Sequence, residues 1–419
     1  SRESYEALCH GDGFFKQFFN ELKLATTGTD APVTRLFVTG VTPVTMDDVT
    51  SGFNIASNIS LNPAFAAFTG FTHGDLRDML AYYRAHAGFA FDEATVFETM
   101  RRWYDNYRFS PETGPDGKEP PRVANPTLVL YYMQYFLQNH KPQPELVDRN
   151  LRTDYMKIRH VITEGRRING NFHRLEDLLA RLGATATLKD SFQAKELGVA
   201  DNFVSFLFYN GLVTVTGERM GRSALGIPNL TVGEFLHDFV PKAYQDLNGI
   251  DPRLFDVANA MTDFAETGDW RAPLETAASV VSRYWKVRDA VEGERVVQTA
   301  LCALLYVGHG PYIVRHERES AGGFVDIAFE PQLARWPEIG HAALVELKYL
   351  KASDDASPAA LAKIRVAAAA QLARYAADHD LARAWNLKEQ GGTVTLHRVV
   401  LVFHGGDVAL CEASGTAES

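Results

Sequence analysis

Apolar residues recur three and four positions apart over Phe14–Leu24, which predicts an amphipathic helix near the start of the chain. Arg35 to Val41 (RLFVTGV) is a short apolar run and predicts a buried strand. Thr42 to Asn62, rich in Thr, Ser, Asn and Gly, reads as a loop in which Asp47 and Asp48 start a short helix. Helical spacing returns from Thr72 to Tyr107, with Thr72 as N-cap and Leu76, Met79, Leu80 and Tyr83 along one face. Ser110 to Pro121 (SPETGPDGKEPP) is a polar surface loop. Further helices are predicted over Thr127–Asn139, Thr153–Thr163 and Phe172–Leu182. Asp201 to Thr216 (DNFVSFLFYNGLVTVT) reads as a helix, a Gly turn and a strand, and GIPN at 226–229 leads into a helix from Val232 to Ala243. Helix, strand pair and helix together make a small winged-helix-like unit, followed by helical sequence over 251–290.

The last third changes period. Glu294–Val307 is an apolar helix and Tyr312–Arg318 a strand. Phe324–Phe329 (FVDIAF) alternates, and Ala342–Leu347 (AALVEL) is a buried strand. Pro358 opens an Ala-rich helix to about Ala377, and Thr393–Phe403 closes with a strand. The order α-β-β-β-α-β predicts a mixed sheet flanked by helices.

At 419 residues the chain exceeds one ordinary domain of roughly 150 residues, so the fold class is α/β and multi-domain. A net charge of −10 argues against coating nucleic acid through bulk charge. The acidity is uneven: from Arg283 to Tyr375 there are 12 Lys/Arg against 11 Asp/Glu. Lys351, Lys363, Arg365 and Arg374 in that stretch can line a phosphate path. Cys9, Cys302 and Cys411 are far apart, with no CxxC, which suits a reducing compartment. No run approaches the ~20 apolar residues of a membrane helix, and no signal peptide is visible, so an intracellular location with no membrane partner is expected.

Charge interrupts two of the apolar strands. Asp326 lies in VDIAF, and Glu346 and Lys348 are two apart at the end of AALVEL, hence on one face of a strand. Two carboxylates from neighbouring strands can hold Mg²⁺ through hard oxygen ligands, and a lysine beside them can orient water and steady charge at phosphorus. A strand-end salt bridge, with Asp326 capping a turn, accounts for the same spacing. Glu294, on the preceding helix, is a candidate third ligand; Glu317 and Glu319 (HERES) fit a solvated strand end better than a ligand role. Gln371 and Tyr375 lie one turn apart on the following helix. Trp103, Tyr104, Tyr107 and Phe109, interleaved with Arg101, Arg102 and Arg108, fit core packing better than base stacking. His316 is expected to be an exposed strand-end histidine.

Residues of about 291 to 405 resemble a PD-(D/E)XK nuclease domain, its motif present as Asp326, Glu346 and Lys348, with QxxxY as Gln371 and Tyr375. The resemblance implies that Asp326 and Glu346 bind Mg²⁺ or Mn²⁺, and that Lys348 assists the attacking water on a DNA or RNA phosphodiester. Gln371 and Tyr375 would brace the site or touch substrate. Relatives often carry an Arg two positions before the Asp; here Phe324 stands there. Glu317 and Glu319 resemble an acidic stretch that such domains often carry before the Asp. RLFVTGVTPVT, SGFN, GFTHGDL, WYDNYRFS, NP at 125–126, FYNGLVT and IPN resemble, in order, the AAA-ATPase-like family that commonly carries such a domain. The implied organisation is an ATPase-core remnant over 1–70, a helical and winged-helix region over 71–240, a helical connector over 241–290 and a nuclease-like domain over 291–419.

No GxxxxGK[ST] occurs, so no residue is assigned to ATP, and the chain is expected to be incompetent as an NTPase. Its start at Ser1 suggests that the phosphate-binding half is lost or lies upstream. Thr39, a sensor in such a core, reads better as a strand-end hydroxyl. The functional expectation is a Mg-dependent nuclease. The alternatives are a non-enzymatic protein that binds a protein partner through its N-terminal region, with an inert nuclease fold, or the C-terminal part of an ATP-dependent switch.

Overall fold

The computed structural model describes residues 13–40, 57–114, 116–143, 146, 171–180, 183–192, 196–236, 251–287, 293–306, 310–320 and 322–414. These residues divide into two compact units, one through 13–146 and 171–233, the other through 234–414.

In the first unit α1 (Phe14–Thr26) is the predicted opening helix. Residues 35–40 form no strand, and Leu36, Phe37 and Val38 are exposed. This overturns the buried strand: an apolar run becomes one only where a neighbouring strand takes its backbone groups, and none among the described residues does. Thr39 is likewise exposed and ends no strand. The short helix at Asp47 and the helix over Thr153–Thr163 lie outside the described residues.

The single helical stretch expected over 72–107 is two helices, α2 (His73–His86) and α3 (Glu93–Trp103). Gly88, at φ +76°, turns the chain between them. Thr72 caps α2 through a reciprocal box with Asp75, and Asp92 caps α3. The short strands β1 (Phe71–Thr72) and β2 (Val123–Ala124) pair antiparallel, and Asn125 then caps α4 (Pro126–Asn139). α5 (Asn171–Ala180) and α6 (Ala200–Tyr209) accompany a three-stranded antiparallel sheet. Its strands β3 (Gly183–Ala186), β4 (Thr214–Arg219) and β5 (Arg222–Gly226) stand in the order β3-β5-β4. The helix, Gly turn and strand predicted over 201–216 are present, and helix resumes over 230–236.

Several motifs singled out in the sequence meet in this unit as one hydrogen-bonded knot. His73 Nε2 lies 2.5 Å from Asp105 Oδ2, and Asn229 Nδ2 donates to the Asp105 carbonyl at 2.9 Å. Asn106 Nδ2 donates to Pro228 O and Thr231 Oγ1 to Trp103 O. Trp103, Tyr104 and Tyr107 are buried and Phe109 half-buried, as expected of core packing.

In the second unit α7 (Leu254–Thr267) and α8 (Arg271–Val287) precede α9 (Glu294–Leu305). Then come β6 (Tyr312–Ser320), β7 (Gly323–Pro331), β8 (His341–Leu350), α10 (Pro358–Ala376), the short α11 (His379–Ala384), β9 (Thr395–His404) and β10 (Asp407–Ala413). The sheet order is β10-β9-β8-β7-β6. β6, β7 and β8 run antiparallel; β8 and β9 are parallel, with α10 in the crossover between them. The expected α-β-β-β-α-β order is present, extended by α11 and the edge strand β10.

α7 belongs to this unit: Phe264 stacks on Tyr312 at 5.1 Å, and Gly340 N donates to Ala265 O. α10 covers one face, where Ala368, Leu372 and Tyr375 pack with Ala342, Leu344, Val400 and Val402. Trp385, buried after α11, joins the same core. No helix among the described residues is long and apolar enough to cross a membrane.

Candidate active site

Strand alternation brings the charged residues together. Ala342 and Leu344 face α10, so Glu346 and Lys348 continue along that face of β8; Asp326 lies on β7 between Val325 and Ala328, both residues of the same core. Lys348 Nζ is the hub, 2.8 Å from Glu346 Oε1, 3.5 Å from Asp326 Oδ2 and 3.8 Å from Glu294 Oε1. Glu294 arrives from the first turn of α9. Four of the predicted site residues therefore converge.

Backbone bonds fix the carboxylates. Asp326 Oδ2 accepts from Leu347 N at 2.8 Å, and Glu294 Oε2 accepts from Tyr349 N at 3.2 Å. Glu346 is 0% exposed, and its Oε2 is buried with no hydrogen-bond partner among the described residues. Burial, then repulsion from Asp326, pushes its carboxyl up to about 7. Burial likewise raises Asp326 and Glu294. Burial alone would lower the Lys348 ammonium, but Glu346, Asp326 and Glu294 outweigh it and hold it above its ordinary value.

Gln371 and Tyr375 hydrogen-bond to each other, Nε2 to the hydroxyl, at 2.8 Å on α10. Tyr375 is buried against the start of β7: a side chain at Gly323 would sit 2.8 Å from its hydroxyl oxygen. The pair thus abuts the strand that carries Asp326. Phe324 is exposed. Lys363, Arg365 and Arg374 are exposed, Arg365 paired with Glu412 at 2.8 Å. The side chains of Glu317 and Glu319 lie outside the described residues.

His316 is not an exposed strand-end residue. It is buried on β6, as Tyr312, Ile313 and Val314 are, and burial lowers its imidazole to about 4.

Residues 292–413 match the model of the PD-(D/E)XK nuclease superfamily. Searches of curated proteins and of solved structures found no match. The matched span runs from just before α9 into β10, and so contains Glu294, Asp326, Glu346, Lys348, Gln371 and Tyr375. Its five-stranded mixed sheet with flanking helices fits that fold.

Sequence reading missed Gln298. It is buried one turn after Glu294, and its Nε2 donates to the Asp326 carbonyl at 2.6 Å. A lone amide inside the apolar run VVQTALCALL, four residues from a candidate acid, was the available signal.

Superfamily members use divalent metals, and the donor set here suits a hard cation. Among the described residues no three imidazole, thiol or carboxylate groups already stand as ligands of one ion. Two carboxylates, one with a buried unpartnered oxygen, are the minimal protein share for Mg²⁺, which takes its remaining ligands from water and phosphate oxygens.

Proposed function

We propose that the C-terminal unit hydrolyses phosphodiester bonds of DNA or RNA with the help of Mg²⁺ or Mn²⁺. The observation that carries this reading is the fully buried Glu346 carboxylate, with an oxygen that has no hydrogen-bond donor among the described residues, placed between Asp326 and Lys348. Even paired with Lys348, a carboxylate this deeply buried carries a desolvation cost, and strongly perturbed carboxyls of this kind cluster at functional sites.

Asp326 and Glu346 would hold the cation, with Glu294 extending the anionic set. When bound, the cation supplies Lewis-acid stabilisation of charge at phosphorus and lowers the pKa of a bound water. Lys348, charged at neutral pH, orients the attacking water and faces the negative charge that develops on the phosphoryl oxygens. Gln371 and Tyr375 hold the start of β7, and with it Asp326, in register; exposed Lys363 and Arg374 offer phosphate contacts along α10.

We read the first unit as the degenerate AAA-ATPase-like and winged-helix-like region. Support comes from the ordered motifs and the way GFTHGDL, WYDNYRFS and IPN meet in one knot. A protein partner for that region is part of the same reading.

The test incubates supercoiled plasmid and single-stranded oligonucleotide with Mg²⁺ or Mn²⁺ and compares the intact chain with Glu346→Ala and Lys348→Ala. Cleavage by the intact chain, reduced at least about 100-fold in both variants, is expected. Equal activity in all three, or none in any, overturns the reading, and the latter outcome favours an inert nuclease fold.

A further inference from the structure

β7 and β8 part company at the site. Their antiparallel ladder pairs Phe329 with Ala343, Ala328 with Leu344 and Ile327 with Val345, and ends there. Both strands run on: β7 stays with β6 back to Gly323, and β8 stays with β9 forward to Leu350. Backbone groups that a continued ladder would satisfy are left facing the gap, and buried ones must find other partners.

Side chains take over that task. Successive N–H groups on the vacated edge of β8 belong to alternate residues, and those of Leu347 and Tyr349 go to Asp326 Oδ2 and Glu294 Oε2. On the β7 side the Asp326 carbonyl is taken by Gln298 Nε2 at 2.6 Å. Glu294 and Gln298 are four apart and so share one face of α9, from which one side chain reaches β8 and the other β7.

Resting on the nuclease reading above, we propose that Gln298 is a positioning residue: it holds the Asp326 backbone on the open side of the splay, so that the Asp326 and Glu346 carboxylates face one cation rather than one another's strand. Gln298 is buried and does not itself reach the cation or the substrate. Its effect passes through the orientation of Asp326, as an outer partner tunes a metal ligand. Losing the amide donor leaves the Asp326 carbonyl without that anchor and lets the carboxylate turn.

The experiment measures Mn²⁺ affinity of the full chain by titration calorimetry, alongside the Mn²⁺ and DNA dependence of cleavage. Gln298→Met keeps the length and removes the donor. Its Mn²⁺ affinity should fall about tenfold. The Mn²⁺ concentration for half-maximal cleavage should rise in step, while the KM for DNA at saturating Mn²⁺ stays within twofold. A merely structural role would not separate the two. If Gln298→Met does not fold, Gln298→Asn, whose amide stops one methylene short, replaces it with the same expectation. A folded variant that binds Mn²⁺ as tightly as the parent overturns the role of Gln298 and leaves the nuclease reading intact. A parent chain that binds no Mn²⁺ overturns both.

Discussion

Glu346 should make the chain less stable above neutral pH than its amide counterpart. Its carboxyl is fully buried, so ionising it in the folded state is costly despite Lys348 Nζ at 2.8 Å, and it titrates near 7 instead of 4.5. An acid raised in the native state binds its proton more tightly there than in the unfolded chain. Stability is therefore lost as pH climbs from 4.5 towards 7 and stays lower beyond it. At about 1.36 kcal/mol per pH unit, that interval is worth about 3 kcal/mol. Glu346→Gln keeps the shape, keeps an oxygen for Lys348 and removes the charge. The variant should equal the parent near pH 4 and exceed it by about 3 kcal/mol at pH 8, or roughly 6–12 °C in Tm for a unit of this size. Urea unfolding of the full chain at pH 4, 6 and 8, followed by tryptophan fluorescence and circular dichroism, measures the gap. Added Mn²⁺ at pH 8 should narrow it by stabilising the parent alone. A variant no more stable than the parent at pH 8, or equally advantaged at pH 4 and 8, would refute the reasoning.

A second pH-sensitive element, of opposite sign, lies in the same sheet. His341 Nδ1 stands 3.0 Å from His397 Nε2 beside Phe264, and burial, then His341, lowers His397 to about 4. A base depressed in the folded state contributes stability above its unfolded pKa of 6.5 that is lost as pH falls towards 4. His397→Gln should flatten that acid slope by up to about 1.4 kcal/mol per pH unit in urea melts, and an unchanged slope would count against it. Gly323→Ala places a methyl 2.8 Å from the Tyr375 hydroxyl oxygen, so it should cost about 1–3 kcal/mol and lower cleavage through Asp326; an unaffected Tm would show that α10 yields freely.

What could be read from the chain before its fold followed from local patterning. Alternation in VDIAF and AALVEL made Asp326, Glu346 and Lys348 conspicuous, because charge has little reason to interrupt buried strands unless partners are supplied. Where partners come from elsewhere in the chain, local pattern misled or fell silent. RLFVTG holds the apolar run Leu36–Val38, yet no described neighbour pairs with it and it stays exposed; AALVEL is flanked by β7 and β9. His316 looked like a strand end, but β6 is covered on both faces, with Tyr312, Ile313 and Val314 all buried, and His316 is buried with them. The His341–His397 contact depends on the parallel register that sets His397 beside Ala343, a pairing between strands far apart in the chain. The splay at Ile327 is non-local in the same sense: which strand keeps its ladder depends on α9 reaching in with Glu294 and Gln298. A nuclease motif in sequence thus names the charged groups, whereas the opening in which they can work is made by the helix that precedes the motif.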